Sequence, residues 1–109
     1  MTYHVIVKNR AFQDIERNSQ WWAEHHSTSQ ALRWHEAAFD AIYKLDTFPD
    51  SHPIADENDA FAYEIRELHF GTGSRPTHRA IFTIKGDEVH VLTVRSASQD
   101  AVSTEELDD

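Results

Sequence analysis

An α+β domain, with an αα-hairpin laid on an antiparallel sheet, is the fold class this 109-residue sequence predicts. Three observations carry the prediction. Apolar residues recur at spacings of three and four from Phe12 to Leu45. The period falls to two from Phe61 onward. Glycine-marked turns at Gly71–Pro76 and Gly86–Asp87 divide the second half into short β-prone runs.

Tyr3 to Val7 is β-branched and aromatic, so it reads as the opening strand. Asn9 is placed to cap a first helix from Arg10 to His26, whose apolar face is formed by Phe12, Ile15, Ser19, Trp22 and His26. Ser27-Thr28-Ser29-Gln30 matches a capping box and starts a second helix after a very short link. Its stripe is Ala31, Leu32, His35, Ala38, Phe39, Ile42 and Leu45, and Phe48-Pro49 closes it. The acidic, aperiodic stretch from Asp50 to Asp59, punctuated by Pro53, predicts a surface loop. Phe61, Tyr63 and Ile65 then alternate with Ala62, Glu64 and Arg66 as a half-buried strand. His78 to Lys85 and Val89 to Arg95 are the next strands, joined at Gly86-Asp87, and the three-stranded meander completes one twisted sheet with the first strand. Residues 1–102 are expected to form a single domain and 103–109 an acidic tail.

Composition narrows the function classes. The chain has no cysteine, which removes disulfides, thiolate nucleophiles and cysteine–zinc sites and fits a reducing compartment. Its first residues lack the basic start and long apolar run of a signal peptide, and no stretch reaches the length of a membrane span. A complete, cytoplasmic protein without membrane contact is therefore expected. A net charge of −9 disfavours general nucleic-acid affinity, since phosphate binding is driven by basic surfaces that release counterions. Much of the acid sits in Asp56-Glu57-Asn58-Asp59 and Glu105-Glu106-Leu107-Asp108-Asp109, which leaves room for a local basic patch.

Arg66 and Arg79 are the foremost candidates for contacting a target. Alternation sets Arg66 on the opposite face from Tyr63 and Ile65, and Arg79 opposite Ala80, Phe82 and Ile84. If those apolar sets face the helices, both guanidiniums stand on the open face; the alternative is that they form cross-strand ion pairs with Glu64 or Glu67. Arg95 depends on register. A two-residue Gly86-Asp87 turn places it beside His78 on the helix side, whereas a three-residue turn with a bulge places it beside Arg79. The eight histidines do not add up to a metal site, because His25 and His26 diverge on a helix and no His-x-x-x-His pair occurs. His35, on the apolar stripe, reads as a hydrogen-bonded core histidine. Trp22 belongs to the core stripe and Trp21 to its edge or a contact surface, while core or edge packing is expected for Trp34. There is no nucleophile elbow, Gly71-Thr72-Gly73 leads into a turn rather than a helix, and no cofactor is implied.

The ordered set Tyr63-Glu64-Ile65-Arg66-Glu67-Leu68, the glycine turn, His78-Arg79-Ala80-Ile81-Phe82-Thr83-Ile84, Gly86-Asp87-Glu88-Val89 and Val91-Leu92-Thr93-Val94-Arg95 resembles the three-strand signature of the RelE/ParE toxin superfamily. It is also similar to sequences called plasmid-stabilisation proteins. The likeness runs from Tyr3 to about Val102. It implies a toxin of a type II toxin–antitoxin system and a cognate antitoxin whose segment orders on binding in an apolar or mixed groove. Members of the superfamily divide into RelE-like ribonucleases that cleave messenger RNA in the ribosome and ParE-like toxins that poison DNA gyrase. In the ribonuclease branch the two lysine positions fall here on Glu64 and Arg66, the arginine opening the third strand is Arg79, the later basic position falls near Ala97, and no tyrosine follows. The resemblance thus implies a ParE-like growth inhibitor whose Arg66, Arg79 and Arg95 contact its target, with DNA gyrase the leading candidate. A RelE-like endoribonuclease using Arg79 and Arg66 is the alternative, and a non-toxic orphan that only binds a partner is the third.

Overall fold

A computed structural model describes residues 2–97. The acidic tail expected at 103–109 lies outside the described residues, as do 98–102. The elements are β1 (His4–Val7), α1 (Asn9–His25), α2 (Thr28–Tyr43), three short 3-10 turns (Lys44–Asp46, Pro49–Ser51 and Asn58–Ala60), β2 (Arg66–Phe70), β3 (His78–Lys85) and β4 (Glu88–Ser96). They form one four-stranded sheet in the order β1-β4-β3-β2, with the helical hairpin packed on one face.

The α+β prediction holds, with corrections in the helices. Asn9 is the first helical residue rather than a cap, because Lys8 occupies the cap position in an extended conformation without a side-chain bond. The second helix starts as its capping residues require, with Ser27 Oγ accepting from the Gln30 amide at 3.1 Å. The buried stripes are rotated from those predicted. Ala11, Asp14 and Ile15 are buried on α1, and Ala31, Trp34, Ala38 and Ile42 on α2, while Phe12 and Leu32 are exposed. Neighbouring helical residues differ by about 100° around the axis, so a period fixes the stripe only to within a residue. Trp34 takes the place expected of His35, its ring lying 6.1 Å from Phe70 and 5.0 Å from His78.

The three later strands form the predicted antiparallel meander, but β1 joins it in parallel beside β4, with His4 opposite Glu88 and Val7 opposite Val91, so the sheet is mixed and not antiparallel throughout as expected. The β3–β4 turn has two residues, with Lys85 opposite Glu88 and Gly86 at φ 61, the left-handed backbone that glycine supplies without strain. One bulge interrupts this hairpin. Phe82 pairs with Val91 and Ile81 with Thr93, which leaves Leu92 as the extra residue.

The Asp50–Asp59 segment is not a free loop. It folds over the sheet face opposite the helices, where Ala55, Ile65 and Ile81 make a second small core with Phe61 and Leu92. Ala55 donates its amide to the Ile65 carbonyl, Glu67 its amide to the Pro53 carbonyl, both at 3.0 Å, and Ile65 its amide to Asn58 Oδ1 at 2.8 Å. Phe61 to Ile65 is consequently irregular, and the strand expected from Phe61 begins only at Arg66. Among the described residues no helix is long and apolar enough to cross a membrane.

Candidate functional site

Arg79 is the second residue of β3, opposite His69 on β2 and Arg95 on β4, so its side chain stands on the face away from the helices, as alternation predicts. That face is closed. Arg79 is 7% exposed. Its two terminal nitrogens donate to the two oxygens of Glu57 at 2.9 and 2.5 Å, and Nη1 donates also to Glu67 Oε2 at 3.0 Å. The hydrogen bond to Glu57 is the main reason its pKa is pushed above the ordinary arginine value; burial works against this and the bond to Glu67 adds to it. Of the two pairings foreseen for it, Glu67 is a partner and Glu64 is not. Glu57, in a run that reads as solvated acid, supplies the larger share.

Arg95 stands opposite Arg79 and is 9% exposed. Neither simple register explains it. The turn keeps two residues, which alone would send Arg95 to the helix side, and the bulge at Leu92 shifts it back to the side of Arg79. Like charges directly opposite across a ladder repel. Glu57 and Glu67 bring negative charge to Arg79.

Arg66 corrects the expectation of an open face in a different way. It is in register with Phe82 and shares the helix-side face of Leu68 and Phe70, because Ile65, from which it alternates, packs in the second core and not against the helices. Its Nη1 donates to the carbonyls of Asp50 at 3.0 Å and His52 at 2.6 Å, and its Nε to Glu64 at 3.2 Å. The guanidinium therefore ties down the start of the covering segment. Arg79 lies under that segment with Arg95 opposite it on β4, Arg66 holds the start of the segment, and the three do not form one open cationic surface.

Two constellations escaped the sequence reading. Asp14, 3% exposed, accepts from Thr93 Oγ1 at 2.5 Å and the Val94 amide at 3.1 Å, and also from Arg10 and Arg17 at 3.2 and 3.4 Å. Its signal was present, since an acid shares the face of Ala11 and Ile15 and has arginines four residues before and three after it. The second centres on His78. Trp34 Nε1 donates to its Nδ1 at 3.3 Å, Thr77 Oγ1 lies 2.9 Å from the same nitrogen, and Asn18 Oδ1 is 3.3 Å from Nε2. An indole can only donate, so Nδ1 accepts and the proton sits on Nε2, which donates to Asn18. Burial lowers the pKa of this ring and favours its neutral form. His35, expected in the core, is instead a half-exposed partner of Glu16 at 3.2 Å.

Above His78 lies a cavity of about 350 Å³ lined by Asn18, Trp21, Trp22, Thr77, His78 and Ser96. Trp22 packs on the core and Trp21 is 48% exposed, as their positions on the helix predict. The two rings meet edge-on with centroids 5.4 Å apart, His25 stacks on Trp21 at 4.6 Å, and His26 lies 4.6 Å from Trp22. Among the described residues no group of histidine, aspartate and glutamate is placed to hold a metal ion. What the surface offers is an aromatic recess, while Arg79 is saturated by carboxylates.

Comparison with known proteins agrees with this architecture. The fold is similar to a chain of the chromosomal ParDE toxin–antitoxin system from P. aeruginosa, with a TM-score of 0.71 at 17% sequence identity, over 87% of this chain and 96% of that one. No curated protein matches it in sequence. The family model describing the ParE toxin of the type II toxin–antitoxin system, parDE, matches residues 5–101. With nearly the whole chain matched, this protein belongs to the ParE toxin family.

Proposed function

We propose that this protein is a growth-inhibiting toxin of the ParE kind, acting in the cytoplasm on DNA gyrase and silenced by a cognate antitoxin, and that it does not cleave messenger RNA. The observation that carries the reading is the sealing of Arg79 by Glu57 and Glu67. Phosphodiester cleavage without a metal needs cations aimed at the scissile phosphate as negative charge develops. Here the candidate cation is buried, its donors are already taken by carboxylates, and the segment carrying Glu57 is held by backbone bonds to Ile65 and Glu67. Freeing Arg79 would break a buried ion pair, a loss of about 3–5 kcal/mol. The net charge of −9 also opposes docking on ribosomal RNA. In this reading Arg66 and Arg79 hold the covering segment on the sheet, Arg95 lies opposite Arg79, and the target is met elsewhere on the surface.

The test is expression with and without the product of the adjacent open reading frame. Growth arrest that this product relieves, intact messages by primer extension and gyrase-dependent DNA breaks are the expected results. Codon-phased message cuts that vanish in Arg79→Ala would restore the ribonuclease. No arrest and no cuts at high expression would leave the non-toxic partner-binding reading.

A further inference from the structure

We propose that the recess formed by Asn18, Trp21, Trp22, Thr77 and His78 is the seat of one large apolar side chain, presented by a cationic segment of the antitoxin. The proposal rests on the antitoxin reading above and names the place and the chemistry of the contact.

The chemistry follows from what the lining has left to offer. Both His78 nitrogens are engaged, Nδ1 by Trp34 and Thr77 and Nε2 by Asn18. The Asn18 amide is engaged at both ends as well, its oxygen by His78 and one N–H by the Asp14 carbonyl at 2.8 Å. A charged or strongly polar group entering here would give up water and find these partners committed, which is costly. A hydrocarbon or aromatic group would meet two indole rings and a neutral imidazole and lose nothing. The volume of about 350 Å³ lies at the small end of ligand pockets, so it suits one side chain rather than a nucleotide or a large cofactor. Half of Trp21 is left open to solvent at the rim. Tryptophan in such a position is the residue type that most often dominates an interface.

The charge of the partner follows from the surroundings. The chain carries a formal −9. Ser96 lines the recess, and the sequence that follows it is acidic, with Asp100, Glu105, Glu106, Asp108 and Asp109. A segment with lysine or arginine flanking its apolar anchor would be steered to this place and retained there, whereas an acidic one would be repelled.

The experiment uses the full chain labelled with 5-fluorotryptophan, each resonance assigned by substitution to phenylalanine, and titrated with the product of the open reading frame adjacent to its gene. Fluorine NMR and calorimetry give the readouts. We expect the Trp21 and Trp22 resonances to move on binding, Trp21→Ala to weaken affinity at least about thirty-fold, and neutralising Glu105, Glu106, Asp108 and Asp109 to Gln or Asn to weaken it several-fold with a flatter salt dependence. Binding that leaves both resonances in place, with Trp21→Ala within about two-fold of the parent, overturns the recess while the antitoxin reading stands. No binding of the parent protein at micromolar concentration sinks the antitoxin reading, and the proposal falls with it. Tighter binding by the neutralised variant, accompanied by a shifted Trp21 resonance in the free protein, would show that the chain's own acidic end is the occupant and would also overturn it.

Discussion

The carboxylate of Asp14, in the second turn of α1, accepts the backbone amide of Val94 at 3.1 Å, just past the bulge of β4. Thr93 donates its hydroxyl to the same oxygen. One buried side chain thus fixes the helix to the sheet where the ladder is irregular and an amide needs an acceptor from outside it. Asp14→Ala would leave both donors without this acceptor in a dry site. The expected cost is about 3 kcal/mol, from donors at roughly 1–3 kcal/mol each with partial relaxation. Urea denaturation measures it, and a loss below about 0.5 kcal/mol, the range of an ordinary surface change, would contradict the assignment.

Glu57 and Arg79 make a second test, because removing one member of a buried pair leaves the other charge uncompensated. Glu57→Ala and Arg79→Ala are each expected to destabilise by about 3 kcal/mol or more. Glu64→Ala, at the exposed partner of Arg66, should stay within about 0.5 kcal/mol. Thermal unfolding of the three variants under one set of conditions ranks them. Equal losses would mean that Glu57 is no more than a surface acid.

His78 makes stability depend on pH in a defined direction. Its folded pKa lies below the ordinary 6.5 because burial disfavours the charged ring. The unfolded chain therefore binds the proton more readily, and stability rises with pH. The contribution is complete above 6.5 and is lost as pH falls toward the folded value. His52 shifts the same way, through burial and then through Arg66 and His69. The melting temperature should fall from about pH 7 to 5, and His78→Gln should flatten that slope even though it lowers the plateau. An unchanged slope in His78→Gln would remove this histidine from the account.

Glycine substitutions separate backbone strain from crowding. Gly86 has φ +61 with open space around its would-be Cβ, so Gly86→Ala costs about 1 kcal/mol through conformation alone. Gly73 also has open space and no positive φ, and Gly73→Ala should be neutral. The difference between their denaturation midpoints is the measurement.

The fold was legible because it is written in local periods. Helical spacing from Phe12 to Leu45, the capping residues at Ser27, and the Gly86 turn each act within a few residues. The site was legible only in part. That Arg79 faces away from the helices follows from alternation, but its closure depends on Glu57, 22 residues away in an aperiodic acidic run. Ala55 shows no pattern, and the alternation that includes Ile65 does not say which sheet face it takes, before the chain folds back to place both on Ile81. The side of Arg95 turns on one extra residue, Leu92, in a strand whose alternation reads smoothly. Trp34 and His78 meet across 44 residues, a distance over which no local rule operates.

The parallel pairing of β1 with β4 sets an order of events in synthesis. His4 finds its strand partner only at Glu88, so the first strand made must wait for the last, and β4 is the strand that joins it to the rest of the sheet. A ribosome delivers roughly 5–20 residues per second, and the pairing of ends so far apart in sequence is slow in itself. No fragment released early can present a finished sheet to a target. Truncated translation products of this toxin are thus expected to be harmless, and the interval before β4 emerges is one in which a partner already in the cell can reach the helical hairpin first.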